Sequence, residues 1–136
     1  MLKDVINGNY DQLPPLVLAY IGDAVYELAV RGYLVEKGLC RVNVLHREAV
    51  HYVRADTQAR LLRALDEKLT DQEKAVARRG RNAKSGHVPR GAGVVEYRQS
   101  TGLECLVGYL YLQGEKERLN ELLKIAFHVA EEELQR

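Results

Sequence analysis

Two carboxylates stand where neither packing nor helix propensity would choose them. Asp23 is the only charge in residues 16–26 (LVLAYIGDAVY), and Glu104 is the only charge in residues 103–112 (LECLVGYLYL). Both runs read as buried stretches of helix. A carboxylate buried without a partner costs on the order of several kcal/mol. Paired acids projecting inward from facing helices are an ordinary way to hold a divalent cation in an all-helical protein. The competing reading is a structural ion pair with Arg31, Arg98 or another base. Glu27 follows Asp23 by four residues and shares its helix face. Like charges at that spacing cost a few tenths of a kcal/mol, roughly, so Glu27 is a supporting candidate.

A second chemistry is suggested by charge. Residues 80–98 (GRNAKSGHVPRGAGVVEYR) are Gly-rich and non-periodic. Arg78, Arg79, Arg81, Lys84, Arg90 and Arg98 lie in or beside them and face one acid, Glu96. A long loop of this kind is usually functional or disordered. A basic, Gly-rich loop in a chain of net charge +1 suits a phosphate backbone, where each cation releases a condensed counterion. A solvated surface loop is the plainer reading. It is not a phosphate-binding P-loop, since no Gly precedes Lys84 and no strand precedes the segment.

Other constellations are weaker. Glu48 and His51 have the Glu-x-x-His spacing of carboxylate-bridged metal proteins, which need two such motifs where this chain has one. No HExxH, Cys/His cluster or GxSxG occurs, which argues against zinc and nucleophile-elbow chemistry. Cys40 and Cys105 form no CxxC pair, as expected of a reduced, cytoplasmic protein with incidental thiols. No apolar run reaches the roughly 18 residues of a membrane span, and the first residues do not resemble a signal peptide.

These groups need helices to position them. The chain has 136 residues, 46% hydrophobic and 29% charged, which is globular composition and the size of one domain, 1–136. Apolar residues recur at helical spacing, and no useful run alternates as a strand would. A first helix is expected over 15–37, opened by Pro14-Pro15, apolar nearly all round and so buried, with Gly38 past its end. Asn43 is expected to cap a helix from Val44 that breaks near Arg54, and 55–65 continues as helix. Thr70 and Glu73 form a capping box for a helix stopping at Gly80. Ser100 or Thr101 is expected to cap the helix carrying Glu104, which ends at Gly114. A last amphipathic helix covers 115–135. The expected fold class is therefore all-α.

The motifs resemble the ribonuclease III family. Residues 21–28 (IGDAVYEL) resemble its signature helix, and residues 101–112 (TGLECLVGYLYL) resemble its second catalytic helix. The whole chain resembles Mini-III, the small bacterial branch with no double-stranded-RNA-binding domain. That likeness includes residues 78–86 (RRGRNAKSG), Leu45-His46-Arg47 and Tyr97-Arg98, and covers about 13–114 in order. The resemblance implies a homodimeric helical endonuclease domain. It implies that Asp23 and Glu104 are catalytic and hold Mg²⁺, with Mn²⁺ able to substitute, for attack of water on an RNA phosphodiester. The products would carry 5′-phosphates. Larger relatives have acids where this chain has Ala19, Leu16 and Thr101, so the acidic ring is reduced to Asp23 and Glu104 with Glu27 nearby. The implied substrate is double-stranded RNA, leading to precursor 23S ribosomal RNA, with a ribosomal protein as a possible assistant on the assembling particle. A rival of another class is a non-catalytic RNA-binding or assembly module on the same scaffold.

Overall fold

Pro14 and Pro15 open the first helix, α1 (Pro15–Glu36), because a first turn has no partner for the N–H that proline lacks. Its end is set by Gly38 at φ 96, with Gly38 N–H donating to Val35 O and Leu39 N–H to Leu34 O. That pair of bonds is a Schellman stop, which needs the left-handed backbone glycine adopts freely. The computed structural model describes Tyr10 and residues 13–83, 88 and 93–135. Five helices follow among the described residues: α2 (Val42–Val53), α3 (Ala55–Leu65), α4 (Asp71–Asn82), α5 (Val94–Leu112) and α6 (Lys116–Leu134). A short 3₁₀ turn, Asp66–Lys68, joins α3 to α4. The described residues contain no strand, and the fold is all-α.

The α2–α3 break falls at Arg54, whose extended backbone (ψ 146) interrupts the helix where the sequence suggested. At α4 both arms of the capping box are present: Thr70 Oγ1 accepts from Glu73 N–H, and Glu73 Oε1 accepts from Thr70 N–H. Glu73 Oε1 and Oε2 also accept from Arg118 at 2.8 and 2.9 Å, tying α4 to α6. These bonds to Arg118 hold the Glu73 carboxyl below its usual range.

Helix α5 is the centre of the molecule. It packs against α1, α3, α4 and α6, and eleven of its residues are buried. Around it Leu61, Leu65, Leu103, Leu106 and Leu112 form a continuous apolar core with Leu18 and Val30 of α1. At one end Tyr26, Tyr33, Tyr52 and Phe127 pack edge-on, and the buried Tyr26 hydroxyl donates to Tyr52 O.

Four expectations need correction. Helix α2 begins at Val42 with Arg41 at its cap, so Asn43 is inside the helix. Helix α4 runs past Gly80 to Asn82, because Gly80 packs against α5 and the chain can remain helical there. Helix α5 starts at Val94, so Ser100 and Thr101 are interior, each hydroxyl bonded back to Tyr97 O. Residues 80–82 and 94–98 of the expected loop are therefore helical, and of the residues between α4 and α5 only Ala83, Val88 and Gly93 are described. Finally, α1 is not buried all round. Leu18, Ala19, Gly22, Tyr26, Val30 and Leu34 face the core, while Val17, Tyr20 and Leu28 are exposed at 42, 77 and 70%.

Candidate catalytic carboxylate site

The position of the two acids follows from two glycines. A Cβ on Gly22 would overlap the backbone carbonyl of Glu104, and one on Gly108 would overlap that of Leu18. Only glycine at both places lets α1 and α5 cross backbone to backbone. Asp23 follows Gly22 directly, and Glu104 is the residue its helix presses upon. The crossing thus brings together two acids 81 residues apart in the chain. Asp23 is exposed and Glu104 half-buried, and their carboxyl groups hydrogen-bond each other.

Glu104 is electrostatically unusual. Burial pushes its carboxyl up to about 8, the negative charge and hydrogen bond of Asp23 add to this, and a hydrogen bond from Gln58 opposes it. A carboxyl held that high keeps its proton near neutral pH because no positive charge faces it. Neither acid forms an ion pair with a described base, so the alternative of a structural pair with Arg31 or Arg98 is not what the site contains. Glu27 does form one: Arg31 donates to it at 3.3 Å, along the helix and away from the Asp23–Glu104 contact.

Gln58 of α3 is the residue that sequence reasoning missed. It is 2% exposed, its Nε2 donates to Val53 O at 3.4 Å, and its amide reaches Glu104. Its Oε1 has no hydrogen-bond partner among the described residues. A glutamine buried in helix α3 beside an arginine-rich face carries no motif, so only the packing reveals it. Thr101, which stands at the position where the resemblance places an acid in larger relatives, is buried and donates its hydroxyl to Tyr97 O.

The basic residues sort by element. Arg78, Arg79 and Arg81 are on α4 and Arg98 is on α5, all on helices and not in a loop. Arg78, Arg79 and Arg98 are exposed, Arg81 is half-buried, and none is ion-paired to a described residue. Lys84 and Arg90 lie outside the described residues. His51 Nε2 donates to Ala130 O and lies near Glu133, a structural role in joining α2 to α6. Burial pushes the Cys105 thiol up to about 11, which makes it inert, and Cys40 is exposed and free.

A Ribonuclease III domain model matches residues 16–115, which includes both acids and the glycine crossing. The chain belongs to the ribonuclease III family. Within it, a Mini-ribonuclease 3 of Symbiobacterium thermophilum is 57% identical over 114 residues, covering 84% of this chain and 88% of that relative. The Mini-ribonuclease 3 of Brevibacillus brevis is 44% identical over 133 residues, 98% of this chain and 99% of its own length. A crystal structure of a protein from Fusobacterium nucleatum superposes with a TM-score of 0.77 at 28% identity, over 86% of this chain and 93% of that one. As a ribonuclease III family member of the Mini-ribonuclease 3 branch, the chain is an endoribonuclease, a hydrolase of RNA.

The donor set of the Asp23–Glu104 site suits a divalent cation. Two carboxylates in contact, one of them forced to hold a proton, lack the positive charge that would let both ionise. The described residues hold no cluster of three or more His, Cys, Asp or Glu side chains. Two carboxylates with the rest of the shell from water and substrate phosphate is the usual pattern for Mg²⁺, which gives up its waters reluctantly. The residues present therefore fit Mg²⁺ better than a cation needing a full protein cage.

Proposed function

We propose that this chain is a Mg²⁺-dependent endoribonuclease specific for double-stranded RNA, acting as a homodimer and leaving 5′-phosphate products. The contact of Asp23 with Glu104 at the Gly22–Gly108 crossing is the observation that carries this reading. Asp23 and Glu104 would hold the cation, which when bound supplies Lewis acidity toward the phosphodiester and its attacking water. Asp23, on the open side, is placed to meet substrate. Glu104, half-buried behind it, gives up its proton when the pair is occupied. Gln58 fixes the Glu104 carboxyl from the protein side by donating to it, and so selects the direction in which its free oxygen points. Glu27 is held by Arg31 and supports the shape of α1 beside the site.

Arg78, Arg79, Arg81, Lys84, Arg90 and Arg98 are proposed to meet the RNA backbone. Duplex RNA is read mainly through shape, phosphates and 2′-hydroxyls, so cations on α4 and α5 suit it. The natural substrate proposed is precursor 23S ribosomal RNA in the bacterial cytoplasm, with a ribosomal protein assisting on the assembling large subunit. Its support is the likeness to Mini-ribonuclease 3 proteins.

The deciding experiment is cleavage of long duplex RNA by wild type, Asp23→Asn and Glu104→Gln, with and without Mg²⁺, alongside thermal melting of each. Metal-dependent cutting by wild type that disappears in both variants, while both still melt cooperatively, is the expected result. A wild type that binds duplex RNA but never cuts it in Mg²⁺ or Mn²⁺ would leave a non-catalytic RNA-binding module as the better reading.

A further inference from the structure

A cavity of about 370 Å³ opens between α3, α4 and the start of α5. Four cations line it: Arg63 of α3 and Lys74, Arg78 and Arg81 of α4. On α4 they recur at i, i+4 and i+7, the spacing of one helix face. Asp66 is the one acid in the wall, and Gln99 of α5 adds an amide. Among the described residues none of the four cations is ion-paired. Four other arginines are paired, Arg31 with Glu27, Arg54 with Asp56, Arg60 with Glu133 and Arg118 with Glu73, so acids are available to this chain's cations where none but Asp66 is set in this wall. Like charges gathered around one concave surface repel each other, and a cleft of one sign concentrates counter-ions. Guanidinium groups from two sides are also the geometry that grips a phosphate through paired N–H donors.

The cavity is not part of the carboxylate site. Gln99 precedes Glu104 by five residues on α5, which at 100° per residue turns their side chains about 140° apart. The cavity therefore lies round the helix from the two acids and cannot receive the phosphate they act on.

We propose that the Arg63–Lys74–Arg78–Arg81 cavity is a separate phosphate site, seating a backbone phosphate of the RNA substrate at a distance from the scissile one. This rests on the RNA reading above and extends it to α3 and to the first half of α4, whose Arg63 and Lys74 belong to no motif. The site would let a core with few carboxylates anchor its substrate independently of the cation, so that binding survives where cutting does not.

The test uses the full chain in chelator, where cutting is suppressed, and a labelled RNA duplex followed by anisotropy over a range of salt. Arg63→Ala and Lys74→Ala are each expected to weaken binding several-fold and to lower the slope of log Kd against log salt by roughly one. Asp66→Asn is expected to tighten binding, a gain that misfolding cannot imitate. A wild type that binds no duplex at all would defeat the RNA reading, and this assignment with it. A wild type that binds, with all three variants matching its Kd and slope, would defeat the cavity assignment alone. A parallel arm melts each protein in inorganic phosphate against chloride at equal ionic strength. If phosphate stabilises wild type and not Arg63→Ala while duplex affinity is equal in both, the cavity takes a free anion and the RNA assignment is wrong.

Discussion

At the scale of single residues, Glu104 makes the sharpest demand. Its carboxyl is raised from the usual 4.5 to about 8, so the folded chain keeps a proton that the unfolded chain releases between those values. The folded state thus binds more protons in that window, and stability must fall as pH rises through it. Metal-free protein is expected to lose melting temperature from pH 5 to pH 8, and Glu104→Gln is expected to remove that loss. A cation that binds the ionised pair must displace the proton. The Mg²⁺ concentration giving half-maximal stabilisation should then fall roughly tenfold per pH unit up to about pH 8. Gln58→Leu deletes the one contact that lowers the Glu104 value, so it should push both curves to higher pH. Melting curves over a grid of pH and Mg²⁺ measure all three effects. A midpoint that ignores pH would show that Glu104 is not part of the cation site.

At the scale of elements, the α1–α5 crossing sets the distance between the acids. Gly22→Ala inserts a methyl into a space taken by the Glu104 carbonyl, and neither backbone can move without shifting its whole helix. Overpacking of this kind costs about 1–3 kcal/mol. Its particular consequence is that Asp23 and Glu104 separate, so Gly22→Ala should lose both thermal stability and the Mg²⁺-induced rise in melting temperature. Retention of the full Mg²⁺ response would mean that the two carboxylates do not act together. Much of this scale was legible from sequence. Pro15, Gly38, Thr70-Glu73 and Gly114 mark helix ends by local chemistry, and the helices end where those residues act. The start of α5 was hidden because Ser100 and Thr101 look like caps but bond back to Tyr97 O within the helix, and the end of α4 because glycine has two meanings. Gly80 looks like a stop but is a contact residue, since its Cβ would fall 2.6 Å from that of Cys105. The pairing of Asp23 with Glu104 was visible as two misplaced charges. That Asp23 is exposed was not, because an apolar run reads as buried whether its partner is this chain or another molecule. Gln58 was invisible because what marks it is a tertiary neighbour.

At the scale of the whole molecule, the exposed side of α1 remains to be satisfied. Val17, Tyr20, Ala24, Leu28 and Val35 follow one another at helical spacing and are all exposed. Val42 and Val50 of α2 continue the surface at 67 and 53% exposure, beside a groove of about 390 Å³ floored by Leu45 and Val53. Apolar surface of this extent on one face marks an interface. The two-fold arrangement proposed for the homodimer has a simple solution here. A two-fold axis near Leu28 lies about 12 Å along the helix from Tyr20 and about 10.5 Å from Val35. Antiparallel copies of α1 would then set Tyr20 of each over the α1–α2 groove of the other, as an isologous contact requires. Asp23 adjoins this face, so its access to RNA would be framed by the second copy. Leu28→Glu places a charge near the two-fold axis and Tyr20→Glu places one where each copy meets the other's groove, and neither touches the core or the Asp23–Glu104 pair. Each is expected to turn a dimer into a monomer in sedimentation at micromolar concentration while the helical circular dichroism is retained. Duplex cutting should fall with dimerisation, because the two strands require two sites. If wild type sediments as a monomer at the concentrations where it cuts RNA, or if both charged variants remain dimeric, this face is not the two-fold interface.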